Sequence, residues 1–343
     1  MRGAHGEPAV CNPPGDDGPG RAKSSSAAAP TFPGLDGALA GHSEAIAPLN
    51  QTSISAISSP SSARNSFPAM RAHRVFERVL QNPHMEGPEC TLTQAGSIII
   101  TSTGKQYIAK IGRHEDTDRY HGLNESLVIL ETAVPGLAPK SSGCGLIERE
   151  DKELDSDLMK PYSLCEYKET VPLDSETAKV LAKRLATELH TYKSLGSFGF
   201  HVPTRAARYK ALSRKVTRVR ERIIPALLGS LVISPVLLHG NLWSGTTGVD
   251  RHTGAPVILD PACFFGHNEF DLALSRMLGG MPDSFYVAYH DYFRWSEPEE
   301  QYGMRQELYQ LYHCLRYLLI FGKDTYAEGA RKKMDWLLRV VPY

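Results

Sequence analysis

His239-Gly240-Asn241-Leu242-Trp243-Ser244-Gly245-Thr246, followed by Val257-Ile258-Leu259-Asp260-Pro261, is the part of this chain that decides its fold. Val236-Leu237-Leu238 leads into the first segment, and Pro256 to Asp260 forms a second apolar run that ends on a carboxylate. Short apolar runs bounded by Gly and Pro read as buried strands, so both polar segments sit at strand mouths. A carboxylate there can bind a divalent cation. The competing account is an aspartate that caps the next turn.

The spacing resembles that of the catalytic core of kinase-like phosphotransferases. In such sites an Asp in a His-x-Asp loop orients and deprotonates the acceptor hydroxyl. An Asn five residues on binds metal, and a second Asp at the end of the next strand holds magnesium. Here the second Asp is Asp260. Asn241 occupies the position of the base, and Thr246 that of the amide ligand.

Outward from this core, punctuation divides the chain in two. Residues 1–68 are rich in Ala, Gly, Pro and Ser with no sustained apolar period, which predicts a disordered tail. Its acidic residues, Asp16, Asp17 and Asp36 among them, fit poorly with a transit peptide. From Met70 the chain reads as one folded unit. Helical spacing covers 69–81 and 124–132. Strands are expected at 97–100, 107–111 and 163–167, with a hairpin turn at 102–105. Asp174 or Ser175 caps a helix carrying Val180, Leu181, Leu185 and Leu189 on one face, with Gly196 as its stop. Helical segments follow at 272–278, 285–293, 307–321 and 327–340. Strands first and helices afterwards give an α+β protein in two lobes, a small antiparallel-sheet lobe over 69–168 and a mainly helical one over 169–343.

Composition narrows the function. Acidic and basic residues balance at 38 each, giving no electrostatic reason to seek nucleic acid or anionic lipid. Hydrophobic residues make up 41%, as in a soluble globular protein, and the longest apolar region, 223–238, is too interrupted to cross a bilayer. The six cysteines show no paired short spacing, which argues against a zinc site or a disulfide scaffold and for a reducing compartment. The expectation is a cytoplasmic protein, with organelle targeting by the tail left open.

Several stretches together resemble the fructosamine/ketosamine 3-kinases, also called protein-ribulosamine 3-kinases. They are Phe198-Gly199-Phe200-His201, Leu237 to Gly245, Asp260-Pro261-Ala262-Cys263-Phe264-Phe265-Gly266-His267-Asn268-Glu269, and Gly279-Gly280 with Phe285-Tyr286 and Tyr289-His290. The resemblance implies a protein-kinase-like fold, ATP and Mg2+ as cofactors, and a glycated protein or small ketosamine as substrate. Phosphorylation of the sugar's third carbon then releases the adduct. The family loop ends His-Gly-Asp-Leu-Trp-Ser-Gly-Asn, so Asn241 and Thr246 depart from it. A tryptophan-rich insert of the family is also replaced here by the short stretch 202–235.

The resemblance assigns further roles. Lys110 is the nucleotide-phosphate lysine and Glu125 the helix carboxylate that pairs with it; a solvated lysine and a surface glutamate are the alternatives. Leu164 and Glu166 lie on the segment that presents backbone to adenine. The loop 89–96, with Gly87 and Gly96 nearby, covers the phosphates. Cys90 in it is a redox switch by family and an inert thiol by base chemistry. Asp260, with Thr246, holds metal. Trp243 either packs on the sugar or fills the lobe. His239 braces the loop, His201 is structural, and Glu269 and Asp271 tie the loop together. Asn241 orients a hydroxyl without accepting its proton, so the activity is expected to be weakened, and a nucleotide-binding pseudokinase is the alternative.

Overall fold

A computed structural model describes residues 67–147, 159–192 and 210–342. The tail reading of 1–66, the Phe198–His201 element and the Gly196 stop lie outside the described residues. Helix α1 (Phe67–Leu80) opens the described chain, slightly before the boundary expected from sequence. A five-stranded antiparallel sheet follows, built from β1 (Leu92–Ala95), β2 (Ile98–Thr101), β3 (Gln106–Ile111), β4 (Ser141–Ile147) and β5 (Lys160–Glu166), in the order β1-β2-β3-β5-β4. Helix α2 (Thr117–Ala133) crosses between β3 and β4.

The two faces of this sheet are buried differently. Phe76 and Leu80 of α1 pack with Ile99, Tyr107, Tyr162 and Leu164 into a core of their own. On the other side, Leu127 and Leu130 of α2 join a core that continues through Leu181, Leu185, Leu237, Leu242, Ile258, Leu272 and Phe285 of the helical lobe. The β2–β3 hairpin is the one read from sequence, with Ile98 opposite Ile108. Strands β1 and β4 were not foreseen. β4 carries Gly143 and Gly145, which depress strand propensity, and the β5 edge recruits it through backbone pairing from Ser141↔Cys165 to Ile147↔Lys160. Helix α2 also begins earlier than expected, because Gly122 in its middle breaks the apolar period.

After β6 (Thr170–Val171), Asp174 caps α3 (Ser175–Thr187) by accepting from the amides of Glu176 and Thr177 at 2.9 and 2.8 Å. Helices α4 (Lys210–Arg218) and α5 (Ile224–Leu228) are joined by a π-helical turn over Val219–Ile223. Four short strands come next: β7 (Val236–Leu238), β8 (Thr247–Asp250), β9 (Pro256–Ile258) and β10 (Phe264–Gly266). Helices α6 (Glu269–Leu278), α7 (Asp283–Tyr292), α8 (Tyr302–Phe321) and α9 (Asp324–Val340) complete the lobe. The α8–α9 turn uses Gly322 at φ +66, a left-handed position that suits glycine. Among the described residues no helix is long and apolar enough to cross a membrane.

Candidate active site

Two loops carry the site, and strand pairing closes both of them. β7 pairs with β10, so Leu238 faces Phe264 at one end; β8 pairs with β9, so Thr247 faces Ile258 at the other. The loop over residues 239–246 and the loop over 259–263 are thereby held side by side. Two further backbone bonds join them, Ala262 N–H to His239 O at 2.9 Å and Leu259 N–H to Thr246 O at 2.8 Å. Gly240 is required at their closest approach: at φ +73 a β-carbon would stand 2.0 Å from the Ala262 carbonyl.

Beneath the first loop lies Asp271, fully buried at the start of α6. Its carboxylate accepts from the amides of His239 (2.7 Å) and Gly240 (2.8 Å). His190 Nε2 approaches it at 3.4 Å, and His190 Nδ1 lies 2.5 Å from the Tyr289 hydroxyl. These donors hold the Asp271 pKa below the usual carboxylate range, against the burial that raises it. His239 is buried and kept neutral, its pKa lowered by burial; its Nε2 bonds Leu259 O at 3.1 Å. The sequence therefore identified His239 and Asp271 as loop braces, which is what the hydrogen bonds make them. Nothing in the sequence pointed to His190. Glu269 braces a different loop: it forms a buried bidentate pair with Arg305 (2.7 and 2.9 Å) and accepts from Ser296 N.

On the cleft side, the Lys110 ammonium of β3 donates to Asp260 Oδ1, joining the sheet lobe to the second loop. Both side chains are part exposed. Asp260 has φ +53, in the left-handed region that aspartate tolerates better than most residues and that functional loops often use. Asn241 Nδ2 donates to the Asp260 carbonyl at 3.0 Å. That bond fixes the amide flip and leaves Asn241 Oδ1 as the acceptor facing away. A carboxylate at this position could not make it.

Five residues assigned from sequence are placed by the structure in ways that overturn an expectation or, for Trp243, select one of two. Glu125 does not pair with Lys110: it is exposed and has no ion pair among the described residues. The reason is helical phase. Ser126, one residue on, is the side chain turned toward the loop, where its Oγ accepts from Cys263 N at 3.0 Å, and this leaves Glu125 pointing outward. Thr246 is not presented to a metal. The residue is 2% exposed and its hydroxyl is spent within the loop, on Asn241 O (2.7 Å) and Trp243 O (3.1 Å). Trp243 fills the lobe instead of reaching a sugar: it is buried with Leu274, Leu308 and Leu311, and its ring closes over Gly245, where a β-carbon would come within 2.2 Å. Leu164 lies in the centre of the sheet, flanked by β3 and β4 and fully buried, so its backbone is committed to strand pairing. The Glu166 amide is likewise taken, by Lys140 O at 2.9 Å, and its carboxylate pairs with Lys168.

Around the phosphate-side loop, Gly96 (φ +64) turns β1 into β2. Cys90 is 3% exposed, so its thiol is not positioned to reach another chain. Burial pushes the Cys165 thiol up to about 12.

The antiparallel sheet, the helix behind it and the paired loops define a kinase-like phosphotransferase fold. Solved structures share it. A fructosamine-3-kinase candidate from Haemophilus somnus superposes with a TM-score of 0.58 at 18% identity, over 77% of this chain and 97% of that one. A second, from Thermobifida fusca, gives 0.56 at 20% identity, over 78% and 99%. Choline kinase LicA from Streptococcus pneumoniae gives 0.51 at 14%, over 78% and 99%. Residues 204–340 match the family model of fructosamine kinase. The chloroplastic protein-ribulosamine 3-kinase of Arabidopsis thaliana is 43% identical over 115 residues, 34% of this chain and 33% of that protein. The ketosamine-3-kinase of Mus musculus is 44% identical over 99 residues, 29% of this chain and 30% of that protein. The aligned stretch thus spans about a third of the length of these relatives.

Proposed function

We propose that this chain binds ATP and a magnesium ion between its two lobes, 69–168 and 169–343, and transfers the γ-phosphoryl group to a hydroxyl of a ketosamine. The acceptor is a fructosamine or ribulosamine, carried on a protein lysine or free as a small adduct. Deglycation follows when the phosphorylated sugar leaves. The observation that carries the reading is the pairing of Lys110 with Asp260 beside Asn241, a cation and a carboxylate from opposite lobes at one point.

The donor set supports a magnesium ion held by one protein carboxylate, Asp260, since magnesium takes few side chains and completes its shell with phosphate oxygens and water. A divalent ion held by Asp260 would neutralise charge on the nucleotide's phosphates. Lys110, already placed against the same carboxylate, supplies the second positive charge. Asn241 orients the acceptor hydroxyl through Oδ1 but cannot take its proton. Loss of a general base costs roughly 10²–10⁴-fold, or about 3–5.5 kcal/mol of barrier. Phosphoryl transfer is loose at the transition state and depends mainly on positioning, so slow turnover survives in this reading.

The Asn241 tether to Asp260 and the inward Thr246 hydroxyl favour a second reading, a pseudokinase that binds nucleotide or glycated protein without transfer. Product formation on a synthetic fructosyl-lysine with magnesium and ATP separates the two. The first reading expects slow product from the native chain, faster product from N241D and none from D260A. No product from either the native chain or N241D, with ATP binding intact, selects the second. The protein acts in the cytoplasm, or in an organelle if residues 1–68 direct it there, an option that the chloroplastic relative supports.

A further inference from the structure

Arg316, in the C-terminal half of α8, turns its guanidinium onto the loop that carries Asn241: Nη1 donates to Gly240 O at 3.3 Å. The opposite edge is unused. Nε is buried with no hydrogen-bond partner, and no carboxylate pairs with Arg316 among the described residues. Nη1 lies on the Cδ side of the group. The free Nε/Nη2 edge is therefore the fork that forms two parallel bonds with a carboxylate or phosphate.

A half-buried cation without a counter-ion is unfavourable. Arg305, one helical stretch earlier on α8, has both its Nε and Nη2 on Glu269. Arg316 has no such partner, and the loop beneath it offers none. Asn241 is uncharged, the Asp271 carboxylate is spent on the amides of His239 and Gly240, and Asp260 is engaged by Lys110. The loop face thus combines two cations, Lys110 and Arg316, with one surface carboxylate, Asp260.

We propose that Arg316 is an oxyanion-recognition residue on the acceptor side of the cleft, its Nε/Nη2 fork taking a carboxylate or phosphate group of the ligand lying over Gly240 and Asn241. Two sources fit the chemistry: the α-carboxylate of a ketosamine formed on a free amino acid, or a phosphate group. The first source rests on the ketosamine reading; the fork does not.

The test is equilibrium binding to the full chain and its R316Q and R316K variants of three probes: fructosyl-glycine, fructosyl-glycinamide and inorganic phosphate. If the carboxylate is the ligand, the native chain prefers fructosyl-glycine over the amide by about tenfold or more. R316Q loses that preference, and R316K, which keeps the charge without the fork, loses most of it. If phosphate is the ligand, neither ketosamine is preferred, but phosphate binding weakens about tenfold in both variants. Binding of phosphate through Arg316 with no binding of either ketosamine overturns the ketosamine reading and keeps this inference. Equal binding of all probes by native and variant chains overturns the inference. R316K retains a cation at the same helix position and serves as the measurement if R316Q does not fold.

Discussion

The underside and the cleft side of the same loop differ sharply in how much the fold determines them. Below, His239, Gly240, Asp271, His190 and Tyr289 form a buried chain in which nearly every donor meets an acceptor. Above, Lys110, Asp260, Asn241 and Arg316 are part exposed and held by single contacts. The underside is constrained by folding and the cleft side by chemistry alone. The cleft side can therefore change residue while the frame beneath it persists.

That contrast can be broken from below. The largest expected effect is R305M, which strands the Glu269 carboxylate in the core; it should cost about 3–5 kcal/mol in urea unfolding. D271N keeps the size of the side chain but gives the loop amides a single acceptor oxygen, and should cost about 2–3 kcal/mol by the same measurement. Acid tests the same helical lobe without mutation, through one histidine of α7 and one of α8. His290 is held down to about 4 and His313 to about 3, both by burial first. The unfolded chain then takes up protons first, below about pH 6.5. Stability should be complete above that pH and fall as it drops toward 4 and 3, by about 1.4 kcal/mol per pH unit for each histidine. Asp271, also depressed, extends the loss to lower pH. A flat stability profile between pH 7 and 4 would remove the buried neutral histidines from the account. The smallest stability effect belongs to the cleft side. D260A breaks an exposed ion pair and should change unfolding by no more than about 1 kcal/mol, while abolishing any magnesium-dependent turnover.

Much of the helical lobe was legible because its signals are local. Asp174 caps α3 as its position predicted, and the apolar runs around 236–238 and 256–259 are buried strands. The pairing of Lys110 with Asp260 was legible only as two separate assignments, since nothing local links residues so far apart in sequence. What escaped was orientation. Glu125 has a helical position fit for Lys110, but the neighbouring Ser126 is the residue bonded to Cys263, and that phase excludes it. Thr246 has a metal-binding oxygen, yet the tight turn after Trp243 uses it for backbone carbonyls. Leu164 reads as any apolar strand residue does, and only the recruitment of β4 reveals it as central. Arg316 left one faint signal, a lone cation in the apolar run Cys314-Leu315-Arg316-Tyr317-Leu318.

The central claim is that Asp260 and Lys110 hold nucleotide phosphate and metal together. ATP titration with and without magnesium, on the native chain and on D260A, tests it most directly. The account predicts that magnesium tightens ATP binding in the native chain and has no effect in D260A. Binding indifferent to magnesium in the native chain, or equally magnesium-dependent in D260A, would contradict it.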